Sequence, residues 1–314
     1  MEILILTNSY DGSANIIQNI LKKKNLKFLR WNVDLWDKYE IYFDQDHFSL
    51  KDPVKNSVSS KNNLKILWRK PFIDMMTMNF ESKKKEQNNN EADNKYAKSE
   101  MRSIIHSIMA CTRDKAKHFI DPIDEHRLPK LKQLSIAQKY FKILPYEFSI
   151  IKKKINFKEA ITKALNNSEV GDKILYTTKV NQDELSRPYP WFIQEAVTGG
   201  KDVTCVYIKG EAFFYYCEYE RGNKNIDWRT EINKDNQSKW LPLINKNLKQ
   251  LKKKVCELMN EFELNYGRLD FIEQQDNFYF LEVNPNGQFG WLDFIKNDNK
   301  FILHNKFTDA FLEE

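Results

Sequence analysis

The chain has 314 residues, 41% hydrophobic and 30% charged, with a formal net charge of +6, the balance of an ordinary soluble protein of one large domain or two to three smaller units. So mild a charge favours acidic partners weakly and does not imply nucleic acid. Four scattered cysteines without a CxxC pair exclude a zinc or disulfide framework and fit reduced thiols in the cytoplasm, and no apolar run reaches the roughly 18 residues of a membrane span.

The N-terminus, MEILILTN, is too short and too soon polar for a signal peptide. Residues 3–7 form a continuous apolar run, the mark of a buried parallel strand. Asp11-Gly12-Ser13 is a turn, and Ser13 is expected to cap a helix over 14–24 with Ile16, Ile17, Ile20 and Leu21 on one face. Residues 27–32 make a second strand, a βαβ opening without the GxGxxG that would support dinucleotide binding. Residues 39–43 and 47–50 pattern as a hairpin, and 64–68 as a core strand ending in Trp68-Arg69-Lys70-Pro71. Cations there fit either a grip on a carboxylate or phosphate or a solvated strand end. Residues 81–99 are poor in apolar side chains and predict a mobile loop or frayed helix. Helical periodicity returns over 101–113 through Ile104, Ile105, Ile108 and Met109, so a first domain closes near residue 120.

A helix over 129–141 follows, with Pro at its first turn and Leu131, Leu134 and Ala137 on its buried side. Lys130, taken alone, is a surface lysine. Residues 157–167 (FKEAITKALNN) pass equally for strand or helix, and 174–180 reads as a strand. Residues 191–197 form a strand leading into Thr198-Gly199-Gly200, and 213–220 another. An amphipathic helix region spans 240–263, with Leu248, Leu251, Val255, Leu258 and Phe262 on one face. Its Lys252–Lys254 run, like Lys22–Lys24, Lys83–Lys85 and Lys152–Lys154, reads as a solvated face. The tail from 291 to 314 is helical, with Phe307, Ala310 and Phe311 able to dock on the core.

The densest signal lies in Tyr266 to Gly290, YGRLDFIEQQDNFYFLEVNPNGQFG. Strands at 268–273 and 278–283 flank Gln275-Asp276-Asn277, which predicts a three-residue loop with Asn277 left-handed. Asp270 then lies opposite Glu282 among apolar neighbours, a like-charge conflict that a divalent cation would remove. Asn284 faces the same way as Glu282 because side chains alternate along a strand. Asp, Glu and Asn offer hard oxygen ligands, which suit magnesium on nucleotide phosphates. Taken alone, the pattern favours an ordinary hairpin with one buried carboxylate, and a two-residue loop would put Asp270 and Glu282 on opposite faces.

The full string RLDF…FLEVNPNGQFGWLD resembles the metal-binding end of ATP-grasp carboxylate ligases, particularly the peptide-crosslinking, graspetide or microviridin-type branch. Trp68-Arg69-Lys70-Pro71 is similar to a segment of that branch's N-terminal domain. The resemblance implies an α/β (α+β) chain with the ATP-grasp fold: a Rossmann-like pre-ATP-grasp domain over 1–120, then subdomains over 121–195 and 196–314 that grip ATP. By the same resemblance Asp270, Glu282 and Asn284 hold Mg2+, and Lys130 and Lys163, with Lys179 as the alternative, reach the phosphates under a loop at 166–172. Gln194, Glu195, Val197 and Asp202 border the nucleotide. Thr204 stands where the wider family has Arg, so Arg221 or Arg229 is expected beside the transferring phosphoryl group, with Arg69 and Arg229 on the substrate side.

The implied activity is carboxylate activation by ATP and crosslinking of Asp or Glu side chains to Ser, Thr or Lys in a ribosomal precursor peptide with a leader and an acidic core. A ligase adding an amino acid to a small acid or a protein tail is the rival within the class. A basic nucleic-acid-binding module, suggested by pI ≈ 8.8 and 13% aromatics, is the rival outside it and lacks any supporting motif. The reading expects a cytoplasmic enzyme without nucleic-acid or membrane partners and leaves a homo-oligomer open.

Overall fold

The computed structural model describes residues 1–45, 47–71, 90–113, 119–121, 124–150, 157–165, 169–170, 173–174, 177–180, 190–218, 240–295 and 300–313. The chain divides into two compact units, Met1–Pro122 with Asp298–Glu314, and Ile123–Asn297.

In the first unit, β1 (Glu2–Thr7), α1 (Gly12–Lys23) and β2 (Phe28–Asn32) form the expected βαβ start. An antiparallel meander of β3 (Glu40–Phe43), β4 (Phe48–Lys51) and β5 (Ser57–Ser59) precedes β6 (Leu64–Trp68). The parallel sheet runs β2-β1-β6. Ile3, Leu4, Ile5 and Leu6 are all fully buried, because both faces of a central parallel strand are covered. The cap of α1 is Asp11 rather than Ser13: its Oδ1 accepts from the backbone N–H of Ser13 and Ala14 at 3.0 and 3.2 Å. Asp11 has the extended backbone of a cap residue, and Ser13 already lies inside the helix.

Helix α2 (Asn90–Arg113) starts earlier than its apolar periodicity: of the stretch 81–99, expected as a loop or frayed helix, residues 90–99 are its first turns and 81–89 lie outside the described residues. Of the face expected there, Ile105 and Ile108 are buried and Ile104 is exposed. The tail helix, Ile302–Glu313, belongs to this unit. Lys24 pairs with Asp309 at 2.9 Å, and Lys65 Nζ donates to the Leu312 carbonyl at 2.7 Å, a cation at a helix C-terminus.

The second unit opens with α3 (Asp124–Arg127), α4 (Lys130–Ala137) and the short β7 (Lys142–Ile143). Helix α4 stops four residues before the expected end, and its inward positions are Gln133, Leu134 and Ala137; Leu131 is exposed. Next come β8 (Tyr146–Ser149), β9 (Ala160–Thr162), the hairpin β10 (Glu169–Val170) and β11 (Lys173–Ile174), β12 (Thr178–Lys179) and β13 (Trp191–Glu195). Residues 160–162 are thus strand, in a four-stranded antiparallel sheet ordered β12-β9-β13-β8.

The larger sheet takes β14 (Lys201–Ile208), β15 (Glu211–Cys217), β16 (Trp240–Pro242), β17 (Tyr266–Gln274) and β18 (Asn277–Asn284), in the order β16-β15-β14-β17-β18-β7. Between β16 and β17 lies α5 (Leu248–Glu261), whose apolar stripe Leu251, Val255, Leu258 and Met259 is buried. That stripe, with Leu134 and Ala137 of α4, joins Val203, Cys205, Leu269, Phe271, Phe280 and Val283 in one core. Phe271 lies at its centre, with the rings of Phe141, Phe280 and Phe278 at 5.0, 5.7 and 6.4 Å. Gly200, at φ 81°, turns the link from β13 into β14; a Cβ there would lie 2.4 Å from the Glu273 carbonyl oxygen, so only glycine fits. Among the described residues no helix is long and apolar enough to cross a membrane.

Candidate active site

The β17–β18 hairpin turns on two residues, not three. Gln275 and Asp276 have φ of 52° and 61°, and Gln274 pairs directly with Asn277. Positive φ at both central positions matches the right-handed twist of paired strands, so this tight turn replaces the expected loop and Asn277 is the first strand residue. From that turn alone Asp270 would oppose Leu281. The register shifts between Phe271↔Phe280 and Asp270↔Glu282, leaving Leu281 as one extra residue on β18. This bulge restores the predicted pair, with Asn284 opposite Arg268.

Asp270 Oδ1 accepts from Thr204 Oγ1 at 2.9 Å, and its Oδ2 from Arg268 Nη2 at 2.9 Å and Asn284 Nδ2 at 3.3 Å. The same Asn284 amide donates to Glu282 Oε1 at 3.3 Å. Glu282 Oε2 meets Lys130 Nζ at 2.8 Å, and Lys130 also donates to the Ala164 carbonyl at 3.0 Å. The two carboxylates retain 24% and 28% of their side-chain exposure, enough to admit a ligand and too little for water to screen them.

Burial pushes the Asp270 carboxyl up; the Arg268 charge opposes this and the Glu282 charge adds to it. Burial acts on Glu282 likewise, but Lys130 and Lys163 overcome it and hold its pKa at about 2. Arg268, buried as well, is kept above its ordinary value because the Asp270 charge outweighs the cost of burial. Its guanidinium also lies 5.3 Å from the Trp291 ring centre, and Nη1 donates to the Gln288 carbonyl at 3.3 Å. Gly287 allows that approach, since a Cβ there would lie 2.6 Å from the Arg268 Cβ.

Lys163 follows the last residue of β9, 5.9 Å from the Phe192 ring centre, and its charge reaches Glu282. Lys179, on the neighbouring strand, instead pairs with Glu159 at 3.6 Å. Gln194 is fully buried with Nε2 3.5 Å from the Leu144 carbonyl, while its Oε1 has no hydrogen-bond partner. Glu195 ends β13, its N–H donating to the Pro145 carbonyl at 2.9 Å; Val197, half-buried, follows in the link between the sheets. Asp202 is buried two residues from Thr204, on the same side of β14. Arg69 is not a solvated strand end: it is fully buried in the first unit, its Nε 3.6 Å from Asp11 Oδ2. Arg221, Arg229 and most of the 166–172 loop lie outside the described residues.

Two roles escaped the sequence reading: that of Arg268, and that of the Thr204 hydroxyl, which was read only as a departure from the family's Arg. Arg268 carried a signal, since it sits two residues before Asp270 and therefore on the same face of the strand. Thr204 carried none, because its hydroxyl reaches Asp270 only through the β14–β17 pairing.

A RimK-like ATP-grasp domain matches residues 106–301 of this chain. The chain belongs to the RimK-like ATP-grasp family. No curated protein sequence matches it significantly. Solved structures extend the likeness in fold to the whole chain. A RiPP-associated ATP-grasp ligase of Chryseobacterium gregarium, solved with ADP and a leader and core peptide, superposes with a TM-score of 0.83 at 20% identity over 99% of this chain and 96% of its own. The macrocyclase MdnC of Microcystis aeruginosa MRC, bound with precursor peptide MdnA, gives 0.80 at 20% identity over 100% of both. The ATP-grasp ligase PsnB, complexed with a phosphomimetic variant of minimal precursor, Mg and ADP, gives 0.70 at 11% identity over 99% and 97%. The fold expected from the C-terminal motif is therefore that of the RimK-like chain.

The donor set fits a hard cation. Among the described residues no three His, Cys, Asp or Glu side chains gather to hold an ion. Magnesium does not need three: it commonly takes one or two carboxylates with substrate phosphates and keeps water on the rest. The Gln194 oxygen fits a nucleobase amine, since a buried acceptor without a donor costs about 1–3 kcal/mol.

Proposed function

We propose that this RimK-like chain is a graspetide-type ligase: with ATP and Mg2+ it joins Asp or Glu side chains of a ribosomal precursor peptide to hydroxyl or amine side chains of the same peptide. The observation that carries the reading is the paired Asp270 and Glu282 on one sheet face, with Lys130 and Lys163 acting on Glu282, within an ATP-grasp fold. The peptide branch is supported by the extent of the likeness. The peptide-bound ligases match over 99–100% of the chain, first unit included.

In the reaction a substrate carboxylate oxygen attacks the γ-phosphorus of ATP, the bond to the β-phosphate oxygen breaks, and ADP leaves. The hydroxyl or amine then attacks the acyl carbon, its proton is released, and inorganic phosphate departs, so the peptide loses one water. Asp270, Glu282 and Asn284 would hold magnesium, whose chemistry is neutralisation of phosphate charge. Lys130 and Lys163 supply point charges to phosphate oxygens. Gln194, with the backbone near Glu195 and Val197 and the nearby Asp202, borders the nucleotide. Arg221 and Arg229 are assigned to the transferring phosphoryl group. Arg268 and Thr204 fix the two oxygens of Asp270, a role in orientation rather than bond making. Four free thiols suit a cytoplasmic setting.

The test is incubation with ATP, Mg2+ and an acidic precursor encoded beside the gene. Each crosslink is expected to remove about 18 Da, one water by way of an activated acyl group. A gain of amino-acid mass points to the tail-extending rival, and salt-sensitive nucleic-acid binding without ATP turnover to the basic module.

A further inference from the structure

We infer that Gln133 is a positioning residue for the cation site, holding the outer edge of β18 beyond its pairing with β7; the inference rests on the reading of Asp270, Glu282 and Asn284 given above. Strand β7 pairs with β18 only at Tyr279 and Phe280. Beyond the Leu281 bulge the outer edge of β18 has no strand partner among the described residues. The Val283 N–H, between the proposed ligands Glu282 and Asn284, is directed to that edge, and Val283 is only 2% exposed. Water cannot satisfy such a donor, so a protein acceptor must.

Gln133 supplies it. Its Oε1 accepts from the Val283 N–H at 2.8 Å, and its Nε2 donates to the Leu128 carbonyl at 2.8 Å. The two partners fix the amide's orientation, since an N–H needs the oxygen and a carbonyl needs the amine. A helix packed on a sheet needs only apolar inward positions; a glutamine there, 5% exposed, is tolerated because both of its ends are bonded.

One turn earlier on the same face of α4, Lys130 reaches Glu282 Oε2. Helix α4 therefore grips the site strand twice, at the Glu282 head group and at the backbone of the next residue. Loss of the second grip frees the strand edge from which Glu282 and Asn284 project. Removal of groups that orient metal ligands from behind commonly costs about 10–100-fold in metal affinity.

Gln133→Met keeps length and volume and removes both bonds. Leu134→Ala, a buried apolar neighbour on the same helix, serves as the control. Two quantities are read: amide hydrogen exchange at Val283 in the nucleotide-free protein, and Mg2+–ADP affinity by calorimetry. Q133M is expected to lose protection at Val283 while Phe280 keeps it, and to bind Mg2+–ADP about tenfold or more weakly. L134A is expected to lower Tm with affinity unchanged. Should Q133M not fold, Gln133→Asn, one methylene shorter, reads the same two quantities. Wild-type affinity in the Gln133 variants, or an equal loss in L134A, overturns the positioning role alone. A wild-type protein that binds no Mg2+–ADP overturns the site reading and this inference with it.

Discussion

On β17, Leu269 and Phe271 are almost wholly buried and face α4 and α5, while their neighbours Arg268 and Asp270 face the other way. Strand β14 divides likewise, Val203 and Cys205 to the core, Asp202 and Thr204 to the site. One face is close-packed carbon, and each fully buried Val, Leu or Phe contributes about 1.5–3 kcal/mol. The other holds charges of both signs; Arg268, Asp270, Glu282 and Lys130 are each tied to a partner within 3.3 Å and still partly open. Stability and chemistry are thus carried by alternate residues of the same strands. Strand β18 shows how the two are reconciled. Simple alternation would send Glu282 and Asn284 to the face of Phe278 and Phe280, and the extra residue at Leu281 turns them to the site while Val283 enters the core.

The comparison is broken most sharply on the site face. Asp270→Asn or Glu282→Gln is expected to lower ATP-dependent ligation at least about 10²–10³-fold, the scale for losing one preorganised electrostatic group, with circular dichroism and the cooperative melt retained. Full activity in either variant refutes the metal assignment. The core face gives the converse result. Phe271→Ala, at the centre of its aromatic cluster, is expected to destabilise by about 3–5 kcal/mol in denaturant titration, while the protein that remains folded keeps its KM for ATP. A smaller change separates the two lysines. Lys163→Ala is expected to weaken nucleotide binding about tenfold, as for a charge-assisted bond. Lys179→Ala, which removes a half-exposed pair with Glu159, should change it little; the reverse order would move the phosphate role to Lys179.

The gentlest test is pH. Because Asp270 is raised by burial, it takes up a proton above its ordinary value as pH falls, whereas Glu282 stays ionised down to about 2. Cation affinity is therefore full above the Asp270 pKa and lost on acidification through it. Mg2+–ADP affinity should fall with the slope of one proton; a two-proton slope would show the carboxylates titrating together.

Much of this was legible in the sequence where the pattern was local and repeated. The buried run of β1 and the stripe of α5 follow from periodicity and residue type, whereas the pairing of Asp270 with Glu282 rested on an assumed loop length. The reason given for that pairing was incomplete: a three-residue loop was invoked, and a two-residue turn plus a bulge produces the same register. A bulge has no residue signature here, since Leu281 is an ordinary strand residue. The Asp11 cap was misplaced by two residues because Ser13 is an equally good cap by type, and the choice lies in backbone conformation. The contacts of Thr204 and Gln133 were invisible for another reason. Their partners lie 66 and 150 positions away, brought close by strand pairing and helix packing. Lys130 and Lys163 were named only through the family resemblance, since a lysine at a helix start or strand end has no local mark.

The central claim is that Asp270 and Glu282 together hold a divalent ion carrying nucleotide phosphates, and Mn2+ in place of magnesium tests it directly. Electron paramagnetic resonance of the wild-type protein with ADP should show the free Mn2+ signal lost at one equivalent per chain, and retained with D270N or E282Q at the same concentrations. Equal depletion of free Mn2+ by wild type and both variants would place the ion elsewhere and contradict the account.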